Sequence, residues 1–482
     1  MPDIAKTERR IVGFLCNWCS YGGADTAGVA RANQPTDLRI IRVPCSGRVN
    51  PLFVVRALLH GADGVLVSGC HPRDCHYSTG NFYARRRLEL LKHFLPILGI
   101  DPARFAYTWV SASEGQRWQH VVTRFTEEIH ALEPAPHFEE LEPLYLSQRQ
   151  STEPKRPFMP QPPDLLAKLK EEIRTHLPEL DCVLGWQKGR DALHAVPFFL
   201  RQEEDLERLS LDATCHNSLV RYLPEYKGKK VGIIVRGCES RALVELLQEG
   251  LIAREDLHIF AIPCHGLLDV ARLEEELGRY QHLENLVIEQ DSLRITVDGK
   301  ERSFSPQAFL RSTCLGCASD EPVLADTCLG SFTAGESTPV TAPELALLDG
   351  LSLTERLRFW RGVMDRCIRC YSCRNSCPMC VCHDHCIAES RQPHWQSAEH
   401  SVTEKFFFQI IHALHLAGRC TGCGECQTNC PVGIPIFALR AHLNRVIAEL
   451  FSGYQAGRDA QAVPPLLSYM VDEANIQERE WQ

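Results

Sequence analysis

The chain has 482 residues, of which 44% are hydrophobic and 23% charged, and its 52 basic and 61 acidic side chains give a formal charge of −9. This composition is typical of a globular protein of about three domains at roughly 150 residues each. It excludes nucleic-acid binding driven by phosphate neutralisation, which needs an excess of Lys and Arg. The unusual feature is the 23 cysteines, which occur in tight groups.

Grouped cysteines indicate disulfides in an exported protein and metal ligands in a reducing compartment. The apolar stretch near the start, Ile11–Leu15, is too short for an export signal. The sequence contains no run of 18 apolar residues, so no membrane span is predicted. We therefore expect a cytoplasmic protein, without a membrane span, whose cysteines bind metal.

Residues 1–133 predict a small parallel α/β domain. Short apolar strands are expected at Ile11–Leu15, Leu38–Val43 and Gly64–Val67. Helix starts are marked by Asn50-Pro51 and by Ser111 with Glu114. Each strand is followed by cysteines, namely Cys16, Cys19, Cys45, Cys70 and Cys75.

These five cysteines, the N-terminal group, fall where an open α/β sheet binds ligands, at the carboxyl ends of its strands. Four of the five are expected to hold a metal cluster, and the sequence does not choose among them. A thioredoxin-type dithiol at Cys16 and Cys19 is the alternative. Residues 11–132 resemble the δ subunit of methyl-viologen-reducing hydrogenase, through Gly13–Tyr21 and Ser68–Tyr77. The resemblance implies a [2Fe-2S] centre and docking on the flavin-containing subunit of heterodisulfide reductase.

Residues 134–163 are rich in proline and polar side chains, which predicts an extended linker lying over a surface. The middle domain, residues 164–350, is expected to be α/β. Strands are predicted at Val231–Val235 and His258–Ile262, with the helix Arg241–Gln248 between them.

Four cysteines of this domain, the middle group, can form a cage for an iron–sulfur cluster. Two follow predicted strands and two form a C-x2-C loop; they are Cys238, Cys264, Cys314 and Cys317. Zinc is the alternative metal. The stretches Asp181–Arg190, Arg236–Leu246 and Arg311–Gly330 resemble the β subunit of deazaflavin-reducing hydrogenase and formate dehydrogenase. The resemblance implies a [4Fe-4S] cluster on these four cysteines.

Those relatives also bind FAD, but their glycine-rich segment is not recognisable here. The residues that can approach a phosphate are Gly185, Lys188 and Gly189, and an ordinary turn is the alternative interpretation. Three isolated cysteines are expected to be small buried hydrophobic residues: Cys182, Cys215 and Cys328.

Residues 351–482 predict a helical domain. Ser401 with Glu404 marks the start of a helix containing Phe406–Leu416, and a second helix is expected at Ile436–Leu450. The strongest signal in the chain is a motif repeated in this domain, C-x2-C-x2-C-x3-C-P. Its two copies carry Cys367, Cys370, Cys373 and Cys377, and Cys420, Cys423, Cys426 and Cys430.

In such repeats, three cysteines of one copy and the last cysteine of the other hold one cluster. We therefore expect two [4Fe-4S] centres. The first ferredoxin group is Cys367, Cys370, Cys373 and Cys430, and the second ferredoxin group is Cys420, Cys423, Cys426 and Cys377. Structural zinc does not explain two interleaved sets of four ligands. The region resembles the α-helical ferredoxin domains of succinate dehydrogenase and of heterodisulfide reductase subunits.

Two features of the first copy lead to further expectations. Arg369 and Arg374 are cations that favour a reduced cluster, so the first centre is predicted to have the higher potential; the alternative is that both point to solvent. A set of cysteines and histidines then follows: Cys380, Cys382, His383, His385 and Cys386. The set fits a zinc site or most of another cluster, and the alternative is that the cysteines are packing thiols.

The sequence shows no G-x-S-x-G, Walker A, H-E-x-x-H or complete G-x-G-x-x-G motif, so no catalytic residue is assigned. The expected function is an iron–sulfur electron-transfer subunit. Its expected partners are a hydrogenase or formate dehydrogenase-type donor module and a heterodisulfide-reductase-type flavin subunit. The alternative is an FAD-containing oxidoreductase subunit that exchanges hydride with a deazaflavin or nicotinamide coenzyme. A zinc-rich scaffold protein is a third class.

Overall fold

The first region of the molecule is a parallel sheet covered by helices. The structure, a computed structural model, describes residues 8–146, 154–278, 283–335, 339–382, 385–389, 396–476, 478 and 481. The first sheet has the order β2-β1-β3-β4. Its strands are β1 Ile11–Cys16, β2 Leu38–Val43, β3 Gly64–Gly69 and β4 Phe105–Trp109, and its helices are α1 Ser20–Val29, α2 Pro51–Leu59, α3 Gly80–Phe94 and α4 Gly115–Ala131.

The three strands expected in this region are confirmed, and β4 is an addition. Every residue of β3 is buried, as in a parallel sheet that carries helices on both faces. The predicted start of α2 is confirmed, since the Asn50 side chain accepts a hydrogen bond from the Leu52 N–H at 3.0 Å. The start of α4 differs: Glu114 accepts from the Ser111 N–H at 2.7 Å, and the helix begins only after Glu114.

The middle region contains two sheets. A mixed five-stranded sheet has the order β12-β8-β7-β5-β6, and a three-stranded antiparallel sheet has the order β11-β10-β9. The strands are β5 Cys182–Lys188, β6 Ala195–Leu200, β7 Val231–Val235, β8 Leu257–Ala261, β9 Leu283–Ile288, β10 Leu293–Val297, β11 Lys300–Phe304 and β12 Thr327–Cys328. The helices are α5 Leu165–His176, α6 Gly237–Gln248, α7 Val270–Leu277 and α8 Ser312–Leu315.

The predicted strands at β7 and β8 are confirmed, but α6 begins at Gly237 rather than at Arg241. The Glu239 carboxylate accepts from the Arg236 N–H at 3.1 Å, which caps the earlier start. Cys238 therefore lies in the first turn of a helix.

The last region is helical, as expected. Its helices are α9 Pro343–Asp349, α10 Leu353–Asp365, α11 Ser372–Asn375, α12 Val402–His415, α13 Glu425–Thr428 and α14 Ile436–Leu450. The Ser401 hydroxyl accepts from the Glu404 N–H at 3.2 Å, so the predicted cap is confirmed. The helix begins at Val402, one turn before the predicted apolar stretch, and α14 has the predicted bounds.

The helical region packs against both of the others. One hydrophobic core contains residues of the first sheet and of α10, α12 and α14 together. The Trp360 ring N–H donates to the Ile97 carbonyl at 2.7 Å, and Arg56 pairs with the buried Glu404 at 3.0 Å. The core of the middle region includes Cys377 and Met379 of the helical region. The cysteine groups are therefore held in fixed positions relative to one another.

The proline-rich stretch also contributes to the cores, since each of its two described parts buries a phenylalanine. In residues 134–146, Phe138 is buried and stacks on Phe406, with ring centroids 5.1 Å apart. In residues 154–163, Phe158 is buried in the middle region. Among the described residues, no helix is long and apolar enough to cross a bilayer.

Candidate metal centres

The N-terminal group comes together at the carboxyl edge of the first sheet. The Sγ atoms of Cys16 and Cys70 are 3.6 Å apart, and those of Cys45 and Cys75 are 3.8 Å apart. Cys19 also contacts Cys70; burial raises the pKa of Cys19, and this contact opposes the shift. All five predicted cysteines are thus in one place. Four are buried and Cys19 is half-buried.

The surroundings of this group suit an anionic sulfur ligand set. Thiol contacts from Cys45 and then Cys70 lower the pKa of Cys16 to about 2, which favours the thiolate that binds metal. The Gly47 N–H donates to Cys45 Sγ at 3.3 Å. A Cβ at Gly80, the first residue of α3, would lie 2.5 Å from Cys45 Sγ, so only glycine fits beside the sulfurs.

The middle group is also assembled, at the ends of β7 and β8 and around α8. Burial raises the pKa of Cys238, and the sulfurs of Cys264, Cys317 and Cys314 raise it further, as expected for four neighbouring thiols. The Leu267 N–H donates to Cys314 Sγ at 3.4 Å. This backbone contact helps to fix the position of the Cys314 sulfur.

Buried charges surround the middle group. Arg236 is 1% exposed and Arg311 is 4% exposed. Arg156, from the proline-rich stretch, donates to the Cys264 carbonyl at 2.9 Å and to Cys317 Sγ at 3.8 Å. Arg156 also pairs with the buried Asp320 at 3.0 Å. Arg236 likewise pairs with Glu239 at 3.2 Å and Arg311 with Glu425 at 3.0 Å, so each of these cations has a carboxylate partner.

Sequence reasoning missed these charged residues. Arg236 and Arg311 lie within stretches that carry the resemblance to hydrogenase β subunits. That resemblance could have identified them as residues near the middle group. Arg156 lies in a stretch predicted to be a linker, and only the tertiary structure shows its contact with the cysteines.

The cysteines of the two motif copies lie close enough to influence one another. Burial raises the pKa of Cys430, and the sulfurs of Cys367 and Cys370, from the other copy, raise it further. Burial likewise raises the pKa of Cys420, with Cys377 contributing from the first copy. Cys423 and Cys426 show the same influence from Cys377. The last cysteine of each copy therefore lies with the other copy's first three.

The two motif loops have the same backbone shape, although only the second contains glycine. Gly422 and Gly424 have φ of 80° and 75°, and the equivalent residues Arg369 and Tyr371 have φ of 50° and 60°. Non-glycine residues are strained in this left-handed region. The retained shape indicates that both loops are built for the same ligand geometry.

A buried arginine, Arg440 on α14, lies beside the second ferredoxin group. Burial works to lower its pKa, but the sulfurs of Cys426, Cys377 and Cys420 outweigh burial, so the pKa is above its ordinary value. The Arg440 Nε and Nη1 atoms are buried and find no partner among the described residues. An unpaired buried cation with two free N–H groups fits an anionic cluster held by these cysteines.

The higher potential expected for the first centre from Arg369 and Arg374 stays a prediction. Arg369 donates to the carbonyls of Ser397 and Glu399, at 3.1 and 2.8 Å, and Arg374 pairs with Glu389 at 2.7 Å. The charge of Arg374 is thus balanced by a carboxylate. Neither arginine simply points to solvent either. Arg440 is a further cation of this region, and the sulfurs that most raise its pKa are those of the second group.

The set of cysteines after the first motif copy divides. Cys380 lies with Cys377 and the buried His412, and the ligand atoms of these three residues lie within 4.8 Å of one another. Cys382 is exposed, and Cys386 packs at the edge of the large core. His385 joins no such group among the described residues, and His383 lies outside those residues. The four residues of the set that the structure describes therefore do not form one site.

The glycines and lysine proposed for a cofactor have other roles in the structure. A Cβ at Gly185 would lie 2.7 Å from Leu209, so this glycine serves strand packing. The Gly189 N–H donates to the His194 carbonyl at 2.6 Å within a hairpin. Lys188 pairs with Asp212 at 2.5 Å. These contacts explain the three residues as parts of a hairpin, and they lend no support to a flavin phosphate site.

The isolated cysteines match their prediction in two of three cases. Cys182 and Cys215 are buried, and burial raises the pKa of Cys215 to about 12, which makes it an inert thiol. Cys328 is exposed, so the prediction of burial is wrong there. It lies on the two-residue edge strand β12, which is too short to be covered.

The middle group and the second ferredoxin group touch directly. Arg311, three residues before Cys314, pairs with Glu425 at 3.0 Å and donates to the Cys423 carbonyl at 3.1 Å. A Cβ at Gly424 would lie 2.8 Å from Thr313 Oγ1. Both side chains of the ion pair are buried. The two cysteine loops are thus joined without intervening structure.

Comparisons with known proteins identify two regions of the chain. Residues 11–133 match the family described as methyl-viologen-reducing hydrogenase, delta subunit, and residues 363–434 match the 4Fe-4S dicluster domain. The fold and the cysteine groups thus define an iron–sulfur protein of the electron-transport class.

Similar proteins belong to hydrogenases and heterodisulfide reductases. The iron-sulfur subunit of an F420-non-reducing hydrogenase from Methanococcus voltae is 51% identical over 127 residues, which are 26% of this chain and 88% of that protein. The corresponding hydrogenase protein of Archaeoglobus profundus is 50% identical over 127 residues, 26% of this chain and 93% of its own length. The chain therefore belongs to the methyl-viologen-reducing hydrogenase delta-subunit family, through residues 11–133.

A second kind of relative is larger. One of the polypeptides of the ferredoxin:CoB-CoM heterodisulfide reductase of Methanosarcina mazei is 48% identical over 124 residues, 26% of this chain and only 16% of that polypeptide. A structure of the F420-reducing NiFe hydrogenase complex of Methanosarcina barkeri covers 35% of this chain and 69% of the compared chain, at 15% identity and a TM-score of 0.25. That likeness is too weak to support any argument about the middle region.

Proposed function

We propose that this protein is an iron–sulfur subunit that relays electrons between two partners in an anaerobic redox complex. The donor is a hydrogenase or formate dehydrogenase-type module, and the acceptor is a heterodisulfide-reductase-type flavin subunit. The names of the relatives support a hydrogenase and a heterodisulfide reductase as the partner complexes. The formate dehydrogenase and the flavin subunit rest on the sequence resemblances alone. The observation that carries the proposal is the direct contact between the middle group and the second ferredoxin group through Arg311 and Glu425.

The proposed cofactors follow from the four cysteine groups. The two ferredoxin groups would each hold a [4Fe-4S] cluster and the middle group a third. The N-terminal group would hold a [2Fe-2S] cluster on Cys16, Cys45, Cys70 and Cys75, which are its buried members. When bound, the clusters supply one-electron redox chemistry. The cysteines form no disulfides in the structure, which fits a reducing compartment. We propose the cytoplasm as the location.

The protein's own residues would keep water out and balance charge. Arg236, Arg311 and Arg440 are each at most 4% exposed, and each carries a buried Nε without a partner among the described residues. Arg236 and Arg311 are paired with Glu239 and Glu425, whereas Arg440 has no carboxylate partner among the described residues. Arg440 would therefore stabilise added negative charge most, because electrostatic interactions are strong in a dry interior. No residue of the four groups is assigned a bond-making role.

Two places bring the cysteine groups to the surface. At the first ferredoxin group, Cys370 is exposed and its neighbour Ile368 is 56% exposed. At the N-terminal group, the Trp18 ring stacks on His76 at 3.7 Å, and Trp18 and Tyr77 are about half exposed. We propose these two surfaces as the contact points for the two partners.

The test is purification of the tagged chain from its native host without oxygen, followed by identification of the proteins that remain bound. The proposal predicts a flavin protein of the heterodisulfide reductase class and a donor protein. Charge variants on the proposed surfaces, Ile368→Glu and Trp18→Glu, are each expected to release one partner and keep the other. Recovery of the chain alone, under conditions where its iron is retained, contradicts the proposal.

A further inference from the structure

Cys380 has no place in the proposed ligand sets, yet it lies beside one of their members. The sequence Cys377-Pro378-Met379-Cys380 forms a tight turn, in which the Cys380 N–H donates to the Cys377 carbonyl at 3.1 Å. The two sulfurs and a ring nitrogen of His412 lie within 4.8 Å of one another. Met379, between the cysteines, is buried in the core of the middle region and anchors the turn.

His412 is oriented so that it supports the sulfur of Cys380. Arg440 Nη2 lies 2.5 Å from His412 Nδ1, and His412 Nε2 lies 3.2 Å from Cys380 Sγ. An arginine can only donate, so Nδ1 accepts. Because Nδ1 accepts, it carries no proton, and the ring is neutral. Its one proton is then on Nε2 and points at the Cys380 sulfur.

This orientation excludes His412 as a metal ligand in the arrangement seen. The Nε2 lone pair is used by its proton, and Nδ1 is used by Arg440. The group is therefore a pair of sulfurs backed by an N–H donor. The N–H donor fixes the position of the Cys380 sulfur close to that of Cys377.

The charges around Cys380 are also favourable. Arg419 pairs with Glu249 at 2.6 Å and Arg374 with Glu389 at 2.7 Å, so both are balanced by carboxylates. Arg440 has no carboxylate partner among the described residues, and His412 connects it to Cys380. A thiolate at Cys380 would thus face an uncompensated positive charge.

The internal repeat shows that this feature is specific to one group. The residue equivalent to Cys380 in the second copy is Gly433, since Cys430-Pro431-Val432-Gly433 corresponds to Cys377-Pro378-Met379-Cys380. A Cβ at Gly433 would meet nothing within 4 Å. The first ferredoxin group, which uses Cys430, therefore has no neighbouring thiol at this position.

We propose that Cys380 is an alternative fourth ligand of the second ferredoxin group, able to replace Cys377. The inference rests on the proposed function, because it requires that this group holds a cluster. In the exchange, the iron–sulfur bond to Cys377 breaks and one to Cys380 forms. The proton that Cys380 loses passes to the released Cys377 thiolate, so charge and electron count are unchanged. The His412 N–H holds the incoming sulfur in place.

The experiment compares alanine variants of the full chain, purified without oxygen, by iron and sulfide content and by the electron paramagnetic resonance of the reduced protein. Cys377→Ala and Cys380→Ala alone are each expected to keep the second centre. The double variant Cys377→Ala/Cys380→Ala is expected to lose it, with about 4 iron atoms. The matched control is Cys430→Ala, which is expected to lose the first centre because Gly433 offers no replacement.

Loss of the same amount of iron from Cys377→Ala as from the double variant overturns the inference. The near-isosteric variant Cys377→Ser covers the case in which alanine prevents folding. Its resonance spectrum is expected to change when Cys380→Ala is added, and an unchanged spectrum also overturns the inference. Wild-type protein that contains no iron would instead contradict the proposed function, so the two failures are distinguishable.

Discussion

At the scale of single residues, an arginine that is close to a ligand cysteine in the sequence need not be the one whose charge acts on the cluster. Arg369 and Arg374 are next to ligand cysteines in the sequence, but their side chains are bound to carbonyls and to Glu389. Arg440 is distant in sequence and reaches the second ferredoxin group from α14. The motif spacing therefore predicts the ligands, and only the fold identifies the charges that act on them.

The variant Arg440→Gln is expected to lower the reduction potential of the second centre. Removing a buried cation destabilises the reduced, more negative cluster by about 1 kcal/mol or more, which for one electron is on the order of 50 mV. Potentiometric titration followed by electron paramagnetic resonance measures the shift. Arg374→Gln is the control, and because Glu389 balances that arginine, a smaller change is expected. An unchanged or raised potential in Arg440→Gln would show that the cation does not act on this centre.

The N-terminal group offers a second prediction at this scale. Cys19→Ser is expected to keep the [2Fe-2S] centre, because Cys19 is half-buried while the other four sulfurs are buried and in close pairs. Cys16→Ser is expected to lose it. Iron content and the visible absorption of the variants give the answer. Loss of the centre in Cys19→Ser with retention in another single variant would place Cys19 among the ligands.

At the scale of elements, local sequence patterns predicted the strands and helix starts whose signals lie within a few residues. The apolar runs of β1, β2, β3, β7 and β8 and the caps of α2 and α12 were predictable, because their signals lie within a few residues. The antiparallel strands β9, β10 and β11 were missed, since their exposed faces weaken the apolar pattern. The start of α6 was missed because its cap is formed by Arg236 and Glu239.

The motif loops give a test at the scale of elements. Gly424→Ala is expected to destabilise the protein by more than about 2 kcal/mol, since it adds left-handed strain to a steric clash with Thr313. The control Gly433→Ala has a similar φ and open space, so only about 1 kcal/mol is expected. Thermal unfolding of the iron-loaded variants measures both. Equal effects would mean that the contact with Thr313 is not tight.

At the scale of the whole molecule, three regions that look separate in sequence share their interiors. The helical region contributes to the core of the first sheet and to that of the middle region. The proline-rich stretch adds Phe138 to one core and Phe158 to the other. Composition showed where this stretch lies, but not that its side chains are buried, because burial depends on partners far along the chain.

The ion pair between Arg311 and Glu425 is the polar contact on which the proposed relay depends. Arg311→Met is expected to destabilise the protein by about 3–5 kcal/mol, because it leaves the buried Glu425 charge unpaired. Adding Glu425→Leu is expected to restore much of the loss, since it removes that charge. Chemical unfolding of the single and double variants provides the comparison. Additive losses would show that the two side chains act independently.

The central claim is that the four cysteine groups hold four iron–sulfur centres. Its most direct measurement is stepwise reduction of the anaerobically purified chain, with iron, acid-labile sulfide and zinc analysis and electron paramagnetic resonance at each step. The account predicts about 14 iron and 14 sulfide per chain, in one [2Fe-2S] and three [4Fe-4S] centres. It also predicts magnetic interaction between the middle centre and the second ferredoxin centre. A folded protein that contains zinc without labile sulfide would contradict the account.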